Sequence, residues 1–96
     1  MPVESVVLNH RDNVATALIN IEGGTTLAVE IGRETRKITV LQRIPFGHKF
    51  ALRDIEEGQP IYKYGEVIGR ATQLIRKGEH VHIQNLESIR GKVTEG

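Results

Sequence analysis

The sequence predicts a small all-β domain, on three observations. Twenty of its aliphatic side chains are isoleucine or valine, against seven leucines, and stiff β-branched side chains suit a pleated surface better than a helix. Apolar residues recur in short runs separated by Gly, Pro, Asn or Asp. One turn pattern, aliphatic-x-x-Gly-x-x-aliphatic, occurs at Ile21/Gly24/Leu27, Ile55/Gly58/Ile61 and Ile75/Gly78/Val81. Each copy reads as a chain reversal that buries an aliphatic residue on either side of a tight turn, with glycine supplying a positive φ. The copies begin 34 and 20 residues apart (21 to 55, 55 to 75), so they are not the single period of a solenoid.

Taken in order, the expected strands cover residues 5–9, 14–20, 26–32, 37–43, 49–52, 67–74 and 80–84, each a β-branched or aromatic run bounded by turn-forming residues. Segment 12–18 also allows a helical turn, because Asp12 and Asn13 are good caps before Val14, Ala15 and Leu18. The strand reading is kept there. Residues 88–96 are polar, end in glycine and read as a loose tail or connector.

At 96 residues, the chain is expected to form one domain spanning 1–96 with a thin core. The absence of cysteine excludes a disulfide framework, a thiolate nucleophile, a zinc-thiolate finger and an iron–sulfur cluster, and fits a cytoplasmic protein. No apolar run reaches the roughly 20 residues that span a bilayer, and Met1-Pro2-Val3-Glu4 does not begin a secretion signal. Thirteen basic residues are interleaved with twelve acidic ones for a net charge of +1, and four aromatic residues, Phe46, Phe50, Tyr62 and Tyr64, are all that can stack on bases. Neither a nucleic acid nor a membrane is an expected partner.

Four histidines, at 10, 48, 80 and 82, carry most of the candidate chemistry. In an extended segment His80 and His82 point to one face about 7 Å apart at Cα, which suits two ligands of one ion, while Val81 turns into the core. The plainer reading is two polar residues on an exposed strand face, and spacing alone favours it. Pro45 and Gly47 force an irregular turn that holds His48 and Lys49 out at a strand start. Tyr62-Lys63-Tyr64-Gly65-Glu66 reads as a turn carrying a second lysine, and Asn9-His10-Arg11-Asp12-Asn13 as a polar loop that offers a metal ligand or side-chain hydrogen bonds. Each has a solvated surface turn as its plainer alternative. No nucleophile-base-orienter triad, phosphate-cradling loop or zinc-protease helix is present in the sequence.

Four motifs in order carry a resemblance: His10-Arg11-Asp12-Asn13-Val14-Ala15, Ile44-Pro45-Phe46-Gly47-His48-Lys49-Phe50-Ala51, Lys63-Tyr64-Gly65-Glu66-Val67-Ile68-Gly69-Arg70-Ala71-Thr72, and Gly78-Glu79-His80-Val81-His82 with Asn85. Over residues 9–86 the chain resembles the small domain of the altronate and galactarate dehydratase family. That domain belongs to the SAF superfamily, whose fold is a β-clip of short strands and glycine turns, shared with sialic acid synthases and antifreeze-type proteins. In the family it is fused in front of a larger catalytic domain or made as a separate subunit, so the resemblance implies a small subunit or N-terminal domain.

The implied activity is that of a hydro-lyase that removes water from a sugar acid with a divalent iron or manganese ion. The implied partners are a large catalytic subunit or domain and a sugar-acid substrate, with self-association into a homo-oligomer as a further expectation. A domain of this size is expected to form one wall of a shared site and to be inactive alone. Within that reading His48 and His82 are the expected catalytic groups, Lys49, Lys63 and Asn85 the expected substrate contacts, and His10 and His80 the expected metal ligands. The family's last motif often reads His-Val-His-x-His-Asn, and here Gln84 replaces the third imidazole with an amide, a poorer metal ligand. Three other readings follow: the small subunit of a sulfolactate sulfo-lyase, which eliminates sulfite on the same scaffold; a non-catalytic carbohydrate or sugar-acid binding module; and an assembly domain whose polar motifs only hold turns.

Overall fold

The computed structural model describes residues 5–6 and 9–89. Among these lie nine short strands: β1 (Ser5–Val6), β2 (Val14–Ala17), β3 (Thr26–Ile31), β4 (Glu34–Thr39), β5 (Lys49–Ala51), β6 (Pro60–Lys63), β7 (Glu66–Ala71), β8 (His80–Val81) and β9 (Leu86–Ser88). The expected all-β fold is found. Every pairing is antiparallel, in a four-stranded sheet of order β1-β2-β5-β8, a β3-β4 hairpin and a three-stranded sheet β6-β7-β9.

The four-stranded sheet separates two cores. Ala15, Ala17, Phe50 and Leu52 join the β3-β4 hairpin residues Leu27, Val29, Ile31 and Ile38 in one cluster. Val14, Ala51 and Val81 join Ile55, Ile61, Ala71 and Ile75 in the other. Successive residues of a strand point to opposite faces, so β2 and β5 are apolar on both. The helical alternative at 12–18 is therefore not adopted, and the uninterrupted Val14-Ala15 and Phe50-Ala51-Leu52 runs have a physical reason.

The repeated glycine turn is real and has a fourth copy, Ile44/Gly47/Phe50, which a strictly aliphatic pattern passes over because its last apolar residue is aromatic. Gly24, Gly47, Gly58 and Gly78 have φ of 88°, 84°, 87° and 87°. Each occupies the third position of a turn closed by an i+3 bond, from Thr25, His48, Gln59 and Glu79 to the carbonyls of Glu22, Pro45, Glu56 and Arg76. The copies pair two by two: Ile21 with Ile44, and Ile55 with Ile75. In both pairs each glycine N–H donates to the carbonyl four residues before the partner isoleucine: Val40, Ala17, Ala71 and Ala51. Two interlocked clips thus build most of the chain outside the hairpins.

Most of the expected strands are shorter than drawn or shifted at an end, and several differences have a physical reason. β4 begins at Glu34 rather than 37, because Gly32 and Arg33 form a two-residue hairpin and the strand needs only Ile38 to face the core. β6 was not anticipated: Pro60 and the Tyr62-Lys63-Tyr64 run look like turn, but Pro60 is a strand's first residue and the turn is confined to Tyr64-Gly65. β9 extends through Ser88, into the expected tail, and residues 90–96 of that tail lie outside the described residues. β8 ends at Val81 instead of running to 84, because the chain turns there, with the N–H groups of Asn85 and Leu86 both donating to the carbonyl of His82. Of expected strand 5–9, residues 5–6 form β1 and residues 7–8 lie outside the described residues. No helix among the described residues is long and apolar enough to cross a membrane.

Candidate metal centre

The clip pairing brings three imidazoles together. His48 closes the Pro45–His48 turn and its carbonyl accepts the N–H of Ala17 at 2.8 Å, which fixes it at the entry to β5. Antiparallel pairing of β5 with β8 sets Phe50 opposite His80 and Lys49 opposite Val81. The backbone of His80 is held by Gln42, whose Oε1 accepts the His80 N–H at 3.1 Å. His82 is held by Asn85, whose Oδ1 accepts the His82 N–H at 3.0 Å.

The rings of His48, His80 and His82 stack in near-parallel planes, with centroids 4.4 to 5.5 Å apart and interplanar angles of 14° to 19°. Nδ1 of His48 lies 2.9 Å from Nε2 of His80. One nitrogen from each ring lies within 4.8 Å of the other two. Loss of solvent, then the His48 and His82 rings, holds His80 below its ordinary value of 6.5, against a smaller opposing pull from Glu79. Loss of solvent, then His48 and Lys49, does the same to His82. Three converging imidazoles, two of which resist protonation, present nitrogen donors to one point, so this donor set fits a divalent ion. With imidazoles alone and no carboxylate in the cluster, it suits Fe, Co or Zn better than hard Mn.

Lys49, whose charge acts on His82, leads from the histidines to a second feature. Lys49 and Lys63 line an open cavity of about 370 Å³, with Tyr64, Glu66, Ile68 and Leu86 among its other walls. Burial, and then the charge of Lys63, lowers Lys49 from its ordinary value. Lys63 precedes a two-residue hairpin turn whose residues Tyr64 and Gly65 have φ of 54° and 78°. A left-handed tyrosine is unfavourable, and the carboxylate of Asp12 compensates by accepting the N–H groups of both Tyr64 (2.9 Å) and Gly65 (2.8 Å). Asn13 clamps the same hairpin, accepting the Tyr62 N–H at 2.8 Å and donating to the Pro60 carbonyl at 3.0 Å. Asp12 and Asn13 thus act by presenting Lys63 and Tyr64. Their early place in the chain hides this, although caps and Asx turns are the usual use of such residues.

Of the residues singled out from sequence, His48, His80 and His82 converge and Lys49 and Lys63 share a cavity. His10 does not join the cluster and lies exposed beside Gly32, so the expected His10–His80 pair does not converge, and among the described residues it is His48 that lies against His80. Asn85 is fully buried, and its amide is committed to the chain: besides His82 N–H it donates to the His80 carbonyl at 2.8 Å and to Glu79 at 3.4 Å. That is a brace for the His80–His82 segment rather than a surface for substrate. Gln42 and Gln84 touch His80 without having been singled out as contacts, because only the fold reveals what lies beside them.

Residues 3–89 match the family model for the altronate/galactarate dehydratase SAF domain. The chain is 37% identical to the (2R)-sulfolactate sulfo-lyase subunit alpha of Chromohalobacter salexigens over 93 residues, 94% of this chain and 99% of that subunit. It is 39% identical to altronate dehydratases of Escherichia coli over 83 residues and of Bacillus subtilis over 84; each alignment covers 86% of this chain but 16% of the longer enzyme. These relatives are lyases by name, and the chain belongs to the altronate/galactarate dehydratase SAF-domain family.

Proposed function

We propose that the chain is the small, metal-bearing subunit of a two-component lyase that expels sulfite from (2R)-sulfolactate. The observation that carries this reading is the convergence of His48, His80 and His82, with Lys49 of the Lys49–Lys63 cavity next to His48 in the chain and near enough to His82 for its charge to act there. The likeness to a free-standing alpha subunit over nearly its whole length supports a sulfo-lyase ahead of the sugar-acid dehydratase expected from sequence, since the dehydratases match over 16% of their length.

Elimination from a 2-hydroxy acid removes the C2 proton, uses that electron pair to form the C2=C3 bond, and releases the leaving group with the C3 bonding pair. For sulfolactate the leaving group is sulfite, and the remaining enol takes a proton at C3 to give a 2-keto acid. A divalent ion on the three histidines supplies Lewis-acid polarisation of substrate oxygens when bound. Lys49 and Lys63 bind the anionic ends of the substrate, which offsets the burial and, after it, the Lys63 repulsion that lower Lys49. Only one wall of such a site is here, and the turns that carry the histidines each hold a large apolar side chain in water: Phe46 is 62% exposed and Ile83 is 82% exposed. A large catalytic component seated on these two tips closes the cavity and excludes water from the reaction.

The test is to mix the purified chain with the large lyase component and assay sulfite release from (2R)-sulfolactate. Sulfite appearing only from the mixture supports the proposal. Keto-acid formation from altronate or galactarate instead supports the second reading, a sugar-acid dehydratase, which the family match favours. Binding of a sugar acid by the isolated chain with no turnover in any mixture contradicts both and leaves a binding module.

A further inference from the structure

Gln84 lies against the ring nitrogen of His80 that does not face His48. Its Nε2 is 3.3 Å from His80 Nδ1 and 3.3 Å from the His80 carbonyl oxygen, while His80 Nε2 is 2.9 Å from His48 Nδ1. A carbonyl oxygen only accepts, so the Gln84 nitrogen is the atom that belongs beside it, and that nitrogen also donates to His80 Nδ1. His80 then carries its ring proton on Nε2 and donates it to His48 Nδ1, which leaves the His48 proton on Nε2. One carbonyl therefore sets the tautomers of two rings.

We infer that Gln84 is the positioning residue of the metal centre: in the metal-free chain its amide locks His80 as the Nε2–H tautomer and keeps the His48–His80 pair closed by a hydrogen bond. This rests on the reading of the three histidines as metal ligands. A ligating imidazole carries its proton on the nitrogen away from the ion. Loading at His80 Nε2 therefore moves the ring proton to Nδ1, where it meets the Gln84 amide donor to donor. Turning the amide over lets Oε1 accept the Nδ1–H, at the loss of its bond to the His80 carbonyl. A carboxylate at position 84 accepts the Nδ1–H without turning and favours the loaded ring. Gln84 is exposed, so substitutions there leave the core untouched.

The test compares the wild-type chain with Gln84→Glu and Gln84→Met, using long-range ¹H–¹⁵N correlation of the histidine rings in the metal-free proteins and Co²⁺ titration. The expected result is Nε2–H at His80 in the wild type, Nδ1–H in Gln84→Glu and a mixture of the two in Gln84→Met, with Co²⁺ bound about tenfold more tightly by Gln84→Glu. Nδ1–H at His80 in the metal-free wild type, or tautomers identical in all three proteins, overturns the inference. So does a Gln84→Glu affinity within about twofold of wild type. A wild-type chain that takes up no Co²⁺ defeats the metal reading itself, and the ring spectra still decide whether Gln84 sets the tautomer of His80.

Discussion

Nδ1 of His48 lies 2.9 Å from Nε2 of His80, across 32 positions of sequence. The contact follows from the clip architecture. Gly78 donates its N–H to the Ala51 carbonyl and Glu79 accepts the Ala51 N–H, which locks β8 beside β5 and sets His80 across from the residues that follow His48. A side chain on Gly78 is barred twice, by its φ of 87° and by the Thr39 carbonyl against which a Cβ would collide. The two imidazoles at this contact cannot both carry a proton on the facing nitrogens, so the geometry disfavours charging both rings, and burial adds to this at His80.

That preference gives a pH dependence. The folded chain holds His80 and His82 below 6.5, chiefly by loss of solvent. As pH falls through 6.5 the unfolded chain gains protons at these rings and the folded chain does not, so stability falls with pH until the lower folded values are passed and then levels off. Thermal unfolding of the metal-free chain should give a lower Tm at about pH 5.5 than at about pH 7.5, and the gap should narrow in the His80→Asn/His82→Asn double variant. An unchanged gap in that variant speaks against the account.

Asn85 is the brace on which His82 depends. Asn85→Ala leaves the part-buried His82 N–H without its partner and the His80 carbonyl with only its longer bond from Gln84, and should cost about 1–3 kcal/mol in urea unfolding. Metal affinity should fall with it, even though Asn85 donates to no ion. A stability change under about 0.5 kcal/mol would mean that the turn holds itself.

Lys49 and Lys63 should act on binding. In the assembled enzyme Lys49→Ala and Lys63→Ala are each expected to raise KM by about 10–100-fold, the range for losing a charged hydrogen bond, with a smaller effect on kcat. Steady-state kinetics on the reconstituted pair checks this, and equal loss in kcat with KM unchanged contradicts it.

Phe46 and Ile83 should matter to assembly alone. Phe46→Asp and Ile83→Asp place a charge where the partner seats, and are expected to weaken association by about 10-fold or more while leaving the Tm of the isolated chain unchanged. Sedimentation or interferometry against the large component measures the first, calorimetry the second. A lowered Tm with intact association would place these side chains in the fold rather than the interface.

Much of this was legible in the sequence, for identifiable reasons. The β-branched runs announced the strands, and aliphatic-x-x-Gly-x-x-aliphatic announced three of the four glycine turns. The fourth was hidden by Phe50, which fills the same core position with an aromatic ring. Lys49 and Lys63 were readable as cations held at turns, and their shared cavity follows from Asp12 and Asn13 pulling the β6–β7 hairpin in, a contact made 52 or 53 residues away. The His48–His80–His82 set was not readable, because spacing suggests His80 with His82 but says nothing about which distant turn the strand pairing brings alongside. Asn85 misled for the opposite reason: a polar residue in a site motif suggests contact with substrate, while burial turns it to the backbone.

The central claim is that His48, His80 and His82 form one metal centre without His10. Titration of the metal-free chain with Co²⁺, followed by its visible absorption, tests this most directly. The account predicts one ion per chain, affinity lowered at least about 100-fold by His48→Ala, His80→Ala or His82→Ala, and no change in His10→Ala. Absence of binding, or a loss in His10→Ala as large as in His48→Ala, would contradict it.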